Sequence, residues 1–338
     1  MLLHKLSNLD GAAGDEGRVR KFIQEKIKGY VDSIEVDALG NLICFKNARK
    51  KRPVILIAAH MDEVGFMITG KRKDGTLGFA KVGGIDSRVI LAKTLRLGKK
   101  QIKGVIGVKP VHLLKKEEAT KIPQIDEMYI DIGAESDNDV KDIEVGDYAY
   151  FDTYYEKASK GIVKGKAFDD RVGCSLILEL FKEKFSFPIY GVFSTQEEIG
   201  LRGAKVIGNR IKPDYAIILE GTGAGDFPSK RDNARSPFLG KGPTLTVMDK
   251  SMIADRELLE SIIKVANREG IPYQLKQPNI GGTDGGKIQI SQRGVKCAVI
   301  AVPARYIHSP VGLMDMGDYN KTLELTNSTL KYLGKRWG

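Results

Sequence analysis

Histidine, cysteine and tryptophan are scarce in this chain, and each scarcity removes a class of function. Among 338 residues there are 4 His, 3 Cys and 1 Trp. Cys44, Cys174 and Cys297 stand singly, so no CxxC metal knuckle exists and any disulfide pairing leaves one thiol over. A reducing, cytoplasmic setting is the expectation. Cys174 and Cys297 lie in apolar runs and read as small buried hydrophobes, not as nucleophiles. Trp337 stands next to last in the sequence, which leaves little aromatic surface for a sugar-binding cleft. A run of about 18 apolar residues, the minimum for a membrane-spanning helix, does not occur. The opening stretch Met1-Leu2-Leu3-His4-Lys5-Leu6-Ser7-Asn8 lacks the long apolar core of a secretory leader, so none is expected.

Acidic charge is also in deficit: the net formal charge is +11. The basic residues are nevertheless dispersed. Local runs occur only at Arg49-Lys50-Lys51-Arg52, Lys71-Arg72-Lys73 and Lys99-Lys100, and aromatics are not interleaved with them. Nucleic-acid grooves need a concentrated basic footprint. The charge therefore reads as solvated surface suited to acidic peptides, with no nucleic-acid or membrane partner expected.

What is present is a series of apolar strands that end in metal-ligating residues. Residues 54–59 form a β-branched, apolar run followed at once by His60-Met61-Asp62-Glu63. A second run, 188–195, ends in Gln196-Glu197-Glu198, and a third, 215–219, ends in Glu220. A fourth, 295–302, is followed by Tyr306-Ile307-His308. Asp169-Asp170 opens a segment of helical periodicity over 172–181. In open α/β sheets, ligands bind where parallel strands release their carboxyl ends. His60, Asp169, Glu198, Glu220 and His308 supply two imidazoles and three carboxylates, enough for two borderline divalent ions if one carboxylate bridges. Singly, each has a plainer explanation. Glu197-Glu198 would suit a helix N-terminus, Asp169-Asp170 an N-cap, and Ile280-Gly281-Gly282-Thr283-Asp284-Gly285-Gly286 a turn. Their recurrence at successive strand ends favours a site.

The remaining pattern divides the chain. Over 67–159 the strands are short and broken by glycine, at 66–69, 77–82, 94–97, 103–107, 128–132 and 148–151, with one short helical stretch from Glu135 onward. An α/β pattern resumes afterwards, with helices at 257–267 and 319–333. The length suits two domains. The predicted organisation is an α/β domain from 1–66 and 160–338, interrupted by a small β-barrel or sandwich at 67–159.

Several stretches together resemble the dinuclear aminopeptidases of metallopeptidase family 42, the tetrahedral aminopeptidases. Members of that family carry the labels glutamyl aminopeptidase, deblocking aminopeptidase and endoglucanase. The resemblance runs through Asp37-Ala38-Leu39-Gly40-Asn41, Ala59-His60-Met61-Asp62-Glu63-Val64-Gly65-Phe66, Gly83-Gly84-Ile85-Asp86-Ser87-Arg88-Val89 and Gly104-Val105-Ile106-Gly107. It continues through Phe168-Asp169-Asp170-Arg171, Gln196-Glu197-Glu198-Ile199-Gly200 and Gly281-Gly282-Thr283-Asp284, closing on Ile307-His308-Ser309-Pro310. The ordered set covers nearly the whole chain.

That resemblance implies a three-layer catalytic domain with a mixed central sheet. It implies two divalent ions per subunit, zinc or cobalt. His60, Asp169 and Glu220 would hold one, and Asp169, Glu198 and His308 the other, with Asp169 bridging. Glu197 would be the general base that activates water, Asp62 would orient His60, and Gly282, Thr283 and Asp284 would lie beside the substrate. It further implies removal of N-terminal residues from short peptides, dimers made through the inserted domain, and assembly into dodecamers. Two positions depart from the usual pattern: Glu220, where many members carry Asp, and Gly285-Gly286-Lys287, where alanine commonly follows Asp284. Two other function classes are a glycosidase, which would leave both histidines without a task, and a non-catalytic metal-binding scaffold, against which the presence of Glu197 argues.

Overall fold

The computed structural model describes residues 2–117, 120–227, 237–276 and 278–336; Trp337 lies outside them. In chain order the strands are β1 (Ser33–Val36), β2 (Leu42–Lys46), β3 (Ile55–His60), β4 (Gly65–Lys71), β5 (Leu77–Val82), β6 (Thr94–Leu97), β7 (Ile102–Val108), β8 (Met128–Asp131) and β9 (Tyr148–Phe151). They continue with β10 (Glu156–Lys157), β11 (Ile162–Gly165), β12 (Ile189–Ser194), β13 (Tyr215–Gly223), β14 (Thr244–Thr246), β15 (Gln274–Leu275), β16 (Lys296–Arg305) and β17 (Gly312–Asp315). The helices are α1 (Leu3–Asn8), α2 (Gly17–Ile27), α3 (Phe168–Leu180), α4 (Arg202–Arg210), α5 (Arg256–Glu269), α6 (Gly285–Gln289) and α7 (Met316–Arg336).

Eleven of these strands form one mixed sheet, ordered β1-β2-β12-β3-β13-β16-β17-β11-β10, with β14 and β15 attached beside β16. Its centre, β12-β3-β13-β16, is parallel. Every residue of β3 is buried, as is all of β13 up to Thr222. A strand buried on alternate side chains alike must be covered on both faces, which is why these segments read as continuous apolar runs. The covering helices complete three layers: α3 packs on β3 and β13, α7 and α5 lie by β16, and α6 packs with α4 and against β13.

Between β3 and β10 the chain leaves this sheet and closes a barrel, β4-β5-β8-β7-β6-β9. Closure pairs every strand on both sides and removes the exposed edges that short strands would otherwise present. The barrel has its own core. Phe66 stacks edge-on against Phe79 and Phe151 at centroid distances of 5.3 and 5.2 Å, amid Ile68, Leu95, Ile106 and Ile130. The helix expected from Glu135 onward is only a 3-10 turn, Asp137–Val140, whose start is closed by reciprocal bonds between Ser136 and Asp139. One carboxylate, Asp139, accepts the Glu135 and Ser136 N–H groups and the Ser136 hydroxyl, and these local bonds close the turn.

At the start of α3, Asp169 (φ −85°, ψ 106°) and Asp170 (φ −123°, ψ 45°) are not helical, and the peptide joining them is cis. The two carboxylates divide the work. Asp170 Oδ1 accepts the Gly173 N–H at 2.9 Å, as an N-cap would, while Asp169 turns elsewhere.

The sheet and barrel meet across a buried ionic network. Lys166 Nζ donates to both carboxylate oxygens of Glu63, at 2.6 and 2.8 Å, and lies 3.1 Å from Asp10. Asp10 also accepts from Arg96 of the barrel strand β6. Burial opposes the charge on Asp10, but Lys166 and Arg96 hold its carboxyl below the usual value. Arg171, fully buried, donates to the carbonyls of Leu6, Leu9, Gly11 and Met61 and sits 3.4 Å from Glu63. Removing one partner of such a pair leaves an uncompensated interior charge. Lys166→Ala should therefore lower the unfolding free energy by about 3–5 kcal/mol. Urea unfolding measures this, and a loss below about 1 kcal/mol would show that water already relieves Glu63 and Asp10.

Candidate metal centre

The register of the parallel strands delivers the candidate residues to one level. Ser194 at the end of β12 lies beside His60 at the end of β3. Ile218 of β13 lies beside Ala58, so Glu220, two residues on, stands level with His60 on the other side. β16 pairs with β13 through Ala304, and His308 follows in the turn beyond the end of the strand. His308 and Gln196 both take left-handed backbone, each at φ 55°. Non-glycine residues in that region gather at functional sites.

Asp169 sits between the two imidazoles. His60 Nε2 is 3.1 Å from Oδ1, and His308 Nε2 is 3.3 Å from Oδ2. His308 Nε2 is also 3.4 Å from Glu198 Oε2, and ligand atoms of His60, Asp169 and Glu198 lie within 4.8 Å of one another. Glu197 Oε2 stands 4.0 Å from His60 Nε2. Asp62, wholly buried, fixes the loop that carries both glutamates: its two oxygens accept the Glu197 and Glu198 N–H groups, each at 3.0 Å. The same carboxylate lies 3.4 Å from His60 Nδ1.

Glu220 and Asp284 are buried beside this group, and each has an oxygen without a partner among the described residues, Glu220 Oε2 and Asp284 Oδ1. The second Asp284 oxygen accepts from the Ser194 hydroxyl. Thr283 is fully buried with its hydroxyl against Met252 Sδ at 3.6 Å, and Gly282 lies against Ser251. Of the glycine-rich turn, Asp284 alone brings a charged group to the cluster.

Ser194 carries no signal in the sequence that marks it for this site, and Asp170, read there with Asp169 as an N-cap, is not marked for anchoring His60. Asp170 Oδ2 accepts the His60 N–H at 3.0 Å and so anchors the imidazole's backbone. A serine ending an apolar strand looks like any other, and its partnership with Asp284 spans a separation that only the folded sheet closes.

So many carboxylates in one interior raise one another's proton affinity. Burial pushes Glu198 up to about 8 and Asp284 up to about 6. Burial, reinforced by Asp169, holds Glu220 well above the ordinary carboxylate value. Burial raises Glu197 likewise, with His60 opposing and Asp284, Glu220 and Glu198 adding to it. For the imidazoles, burial acts downward but the carboxylates win. Glu197, Asp169 and Asp62 raise His60, and Asp169 and Glu198 raise His308 to about 9. Asp169, despite burial, is kept below the usual range by the two histidines.

A donor set of two imidazoles and several carboxylates, two of which keep an unsatisfied interior oxygen, is one that divalent ions of borderline softness complete. A carboxylate whose two oxygens face different imidazoles is shaped to bridge.

The sequence matches the model of the M42 glutamyl aminopeptidase family over residues 40–325. The chain belongs to the M42 aminopeptidases. It is similar to a lysyl aminopeptidase of Pyrococcus furiosus, at 33% identity over 346 residues, with 98% of this chain and 96% of the relative covered. The fold superposes on a TET aminopeptidase from a marine-sediment Thaumarchaeota archaeon with a TM-score of 0.95 and 34% identity, covering 100% and 98% of the two chains. It also superposes on the Pyrococcus horikoshii TET1 peptidase, described as assembling into a tetrahedron or a large octahedral shell. There the TM-score is 0.84 at 32% identity, with 96% and 97% covered. This M42 protein is a hydrolase of the metallo-aminopeptidase class.

Cation binding here competes with protons. Groups that bind protons more tightly than usual, Glu198 to about 8 and His308 to about 9, would have to release them in order to ligate. Divalent-ion affinity should therefore climb as pH rises from 7 to 9, with protons released on binding. Calorimetric titration in buffers of different ionisation enthalpy measures that release. A pH-independent affinity would count against these groups as ligands.

Proposed function

We propose that this M42 enzyme removes N-terminal residues from short peptides with two divalent ions, zinc or cobalt, held by one bridged centre. His60, Asp169 and Glu220 would hold one ion and Asp169, Glu198 and His308 the other. The observation that carries this reading is Asp169, whose two oxygens are apportioned to the two imidazoles. When bound, such a pair lowers the pKa of water toward neutrality and polarises the scissile carbonyl.

The chain's own residues supply the rest. Glu197 is the general base: its Oε2 reaches toward the cluster, burial raises its affinity for the proton it takes from water, and it returns that proton to the leaving amine. Asp62 accepts at the Nδ1 side of His60, presenting Nε2 to the centre. Glu220 and Asp284, with their unpartnered oxygens, receive the substrate's free α-ammonium, with Gly282 and Thr283 supporting the turn that holds Asp284. An internal peptide bond has no such ammonium, and this restricts cleavage to chain ends. Glycoside hydrolysis would use two carboxylates and leave His60 and His308 idle. A cytoplasmic setting is supported by three buried, unpaired cysteines.

Two substrates and one variant test the reading. A peptide with a free N-terminus should be trimmed residue by residue, and its N-acetylated form should be nearly inert. Glu197→Gln should keep its metal content and lose at least about 10²-fold in kcat. Equal cleavage of the acetylated peptide, or near-normal kcat in the variant, would overturn the assignment.

The 67–159 segment, read as an inserted oligomerisation domain, would join this chain to copies of itself as dimers and, by analogy with TET assemblies, as dodecamers. Exposed apolar side chains on its surface, Val111, Leu113, Ile122 and Val145, support that role. Light scattering of the full chain at micromolar concentration should report at least a dimer, and a monomer would refute the role.

A further inference from the structure

The candidate centre is closed on one side and open on the other. The side chains of His60, Asp169 and Glu198 are 4%, 8% and 3% exposed, whereas His308 is 38% exposed. The unpartnered oxygens of Glu220 and Asp284 belong to the buried group. At the open edge His308 also lines a groove of about 550 Å³ between the barrel segment around Val89, Leu91 and Lys93 and the turn at Ile307 and Val311. That volume lies in the range of sites that hold small ligands. Gly84 forms the groove's threshold: a Cβ there would stand 3.5 Å from His308 Nδ1, with no atom but those of the His308 ring within 4 Å.

We infer that this groove takes the peptide residues beyond the scissile bond, and that it selects an apolar second residue and a nearby carboxylate. The inference rests on the proposed seating of the α-ammonium at Glu220 and Asp284. With the amine at the closed end, the first residue occupies the centre and the rest of the peptide must leave past His308. The groove begins there, and its walls are largely apolar. Its two cations differ. Arg88 is already paired with Asp86, Nε to Oδ2 at 2.9 Å, whereas no carboxylate among the described residues pairs with Lys93. Lys93 is exposed at the rim, so it meets the free C-terminal carboxylate of a tripeptide or an acidic side chain further along. The barrel thereby becomes a wall of the substrate site.

The test compares tripeptides that share one N-terminal residue, chosen as the best p-nitroanilide substrate. Leucine at the second position should exceed glycine by about 10-fold in kcat/KM, the lower range for apolar discrimination. Leu91→Asp should reduce that ratio to about 2-fold or less. Lys93→Glu, an exposed change that folding tolerates, is read separately. Amidating the tripeptide C-terminus should cost wild type about 2–5-fold, the scale of an exposed ion pair, and cost this variant nothing. If wild type cleaves all these tripeptides equally, or if Lys93→Glu retains the amidation penalty, the groove assignment falls while anilide hydrolysis leaves the centre's reading intact. Anilide hydrolysis insensitive to Glu197→Gln would overturn the centre's reading instead, and the groove with it.

Discussion

A single carboxylate shared by two imidazoles is the constraint on which the site depends. Asp169 must stay ionised in an interior that disfavours charge, and it does so because His60 and His308 approach it from opposite sides. Everything nearby serves that meeting. Asp170 caps the regular part of α3 and also receives the His60 N–H, so helix and strand are tied at the point where Asp169 projects. Asp62 receives two backbone N–H groups from the glutamate loop and faces the same imidazole. Three chain segments distant in sequence are thus indexed to one another by carboxylates that accept from backbone, not by carboxylates directed at substrate.

Much of this was readable before the fold. Apolar runs that stop abruptly at His60, Glu198 and Glu220 mark buried parallel strands, because only a strand covered on both faces is apolar throughout. The stretch after β3 reads as a separate β-unit because its strands are short, broken by glycine and punctuated by turn pairs such as Asp74-Gly75 and Gly146-Asp147. The stretch from Glu135 reads as helical but forms none, because Ser136 and Asp139 close a turn on each other, and local side-chain bonds of that kind compete with helix. Ser194 and the network of Asp10, Glu63, Arg96, Lys166 and Arg171 were not legible at all. Isolated Lys, Arg and Asp residues in a basic chain look like surface, and only tertiary contact shows them paired and dry.

That network also changes how the barrel should be regarded. Arg96 reaches out of β6 to Asp10, and Tyr148 donates from β9 to the Ala13 carbonyl at 3.0 Å. Tyr150 adds a bond to Asp15. The segment between α1 and α2 is therefore clamped by the barrel on one side and by Arg171 and Lys166 on the other. Since Lys166 lies three residues before Asp169, the clamp and the candidate centre share a stretch of backbone. Interior ion pairs do not by themselves stabilise a protein relative to apolar packing. What they supply here is a fixed relation between two cores that have no continuous hydrophobic contact in common.

The level alignment of Ser194, His60 and Glu220 has a consequence for assembly of the chain itself. A strand displaced by one residue turns each of its side chains to the opposite face. With β3 slipped against β12 or β13, His60 would point away from Asp169, and no cluster of donors would form. High affinity for a cation would then belong to only one threading of the sheet. An ion held by this cluster would then favour the correctly ordered chain over misregistered ones, because it would bind the one and not the others.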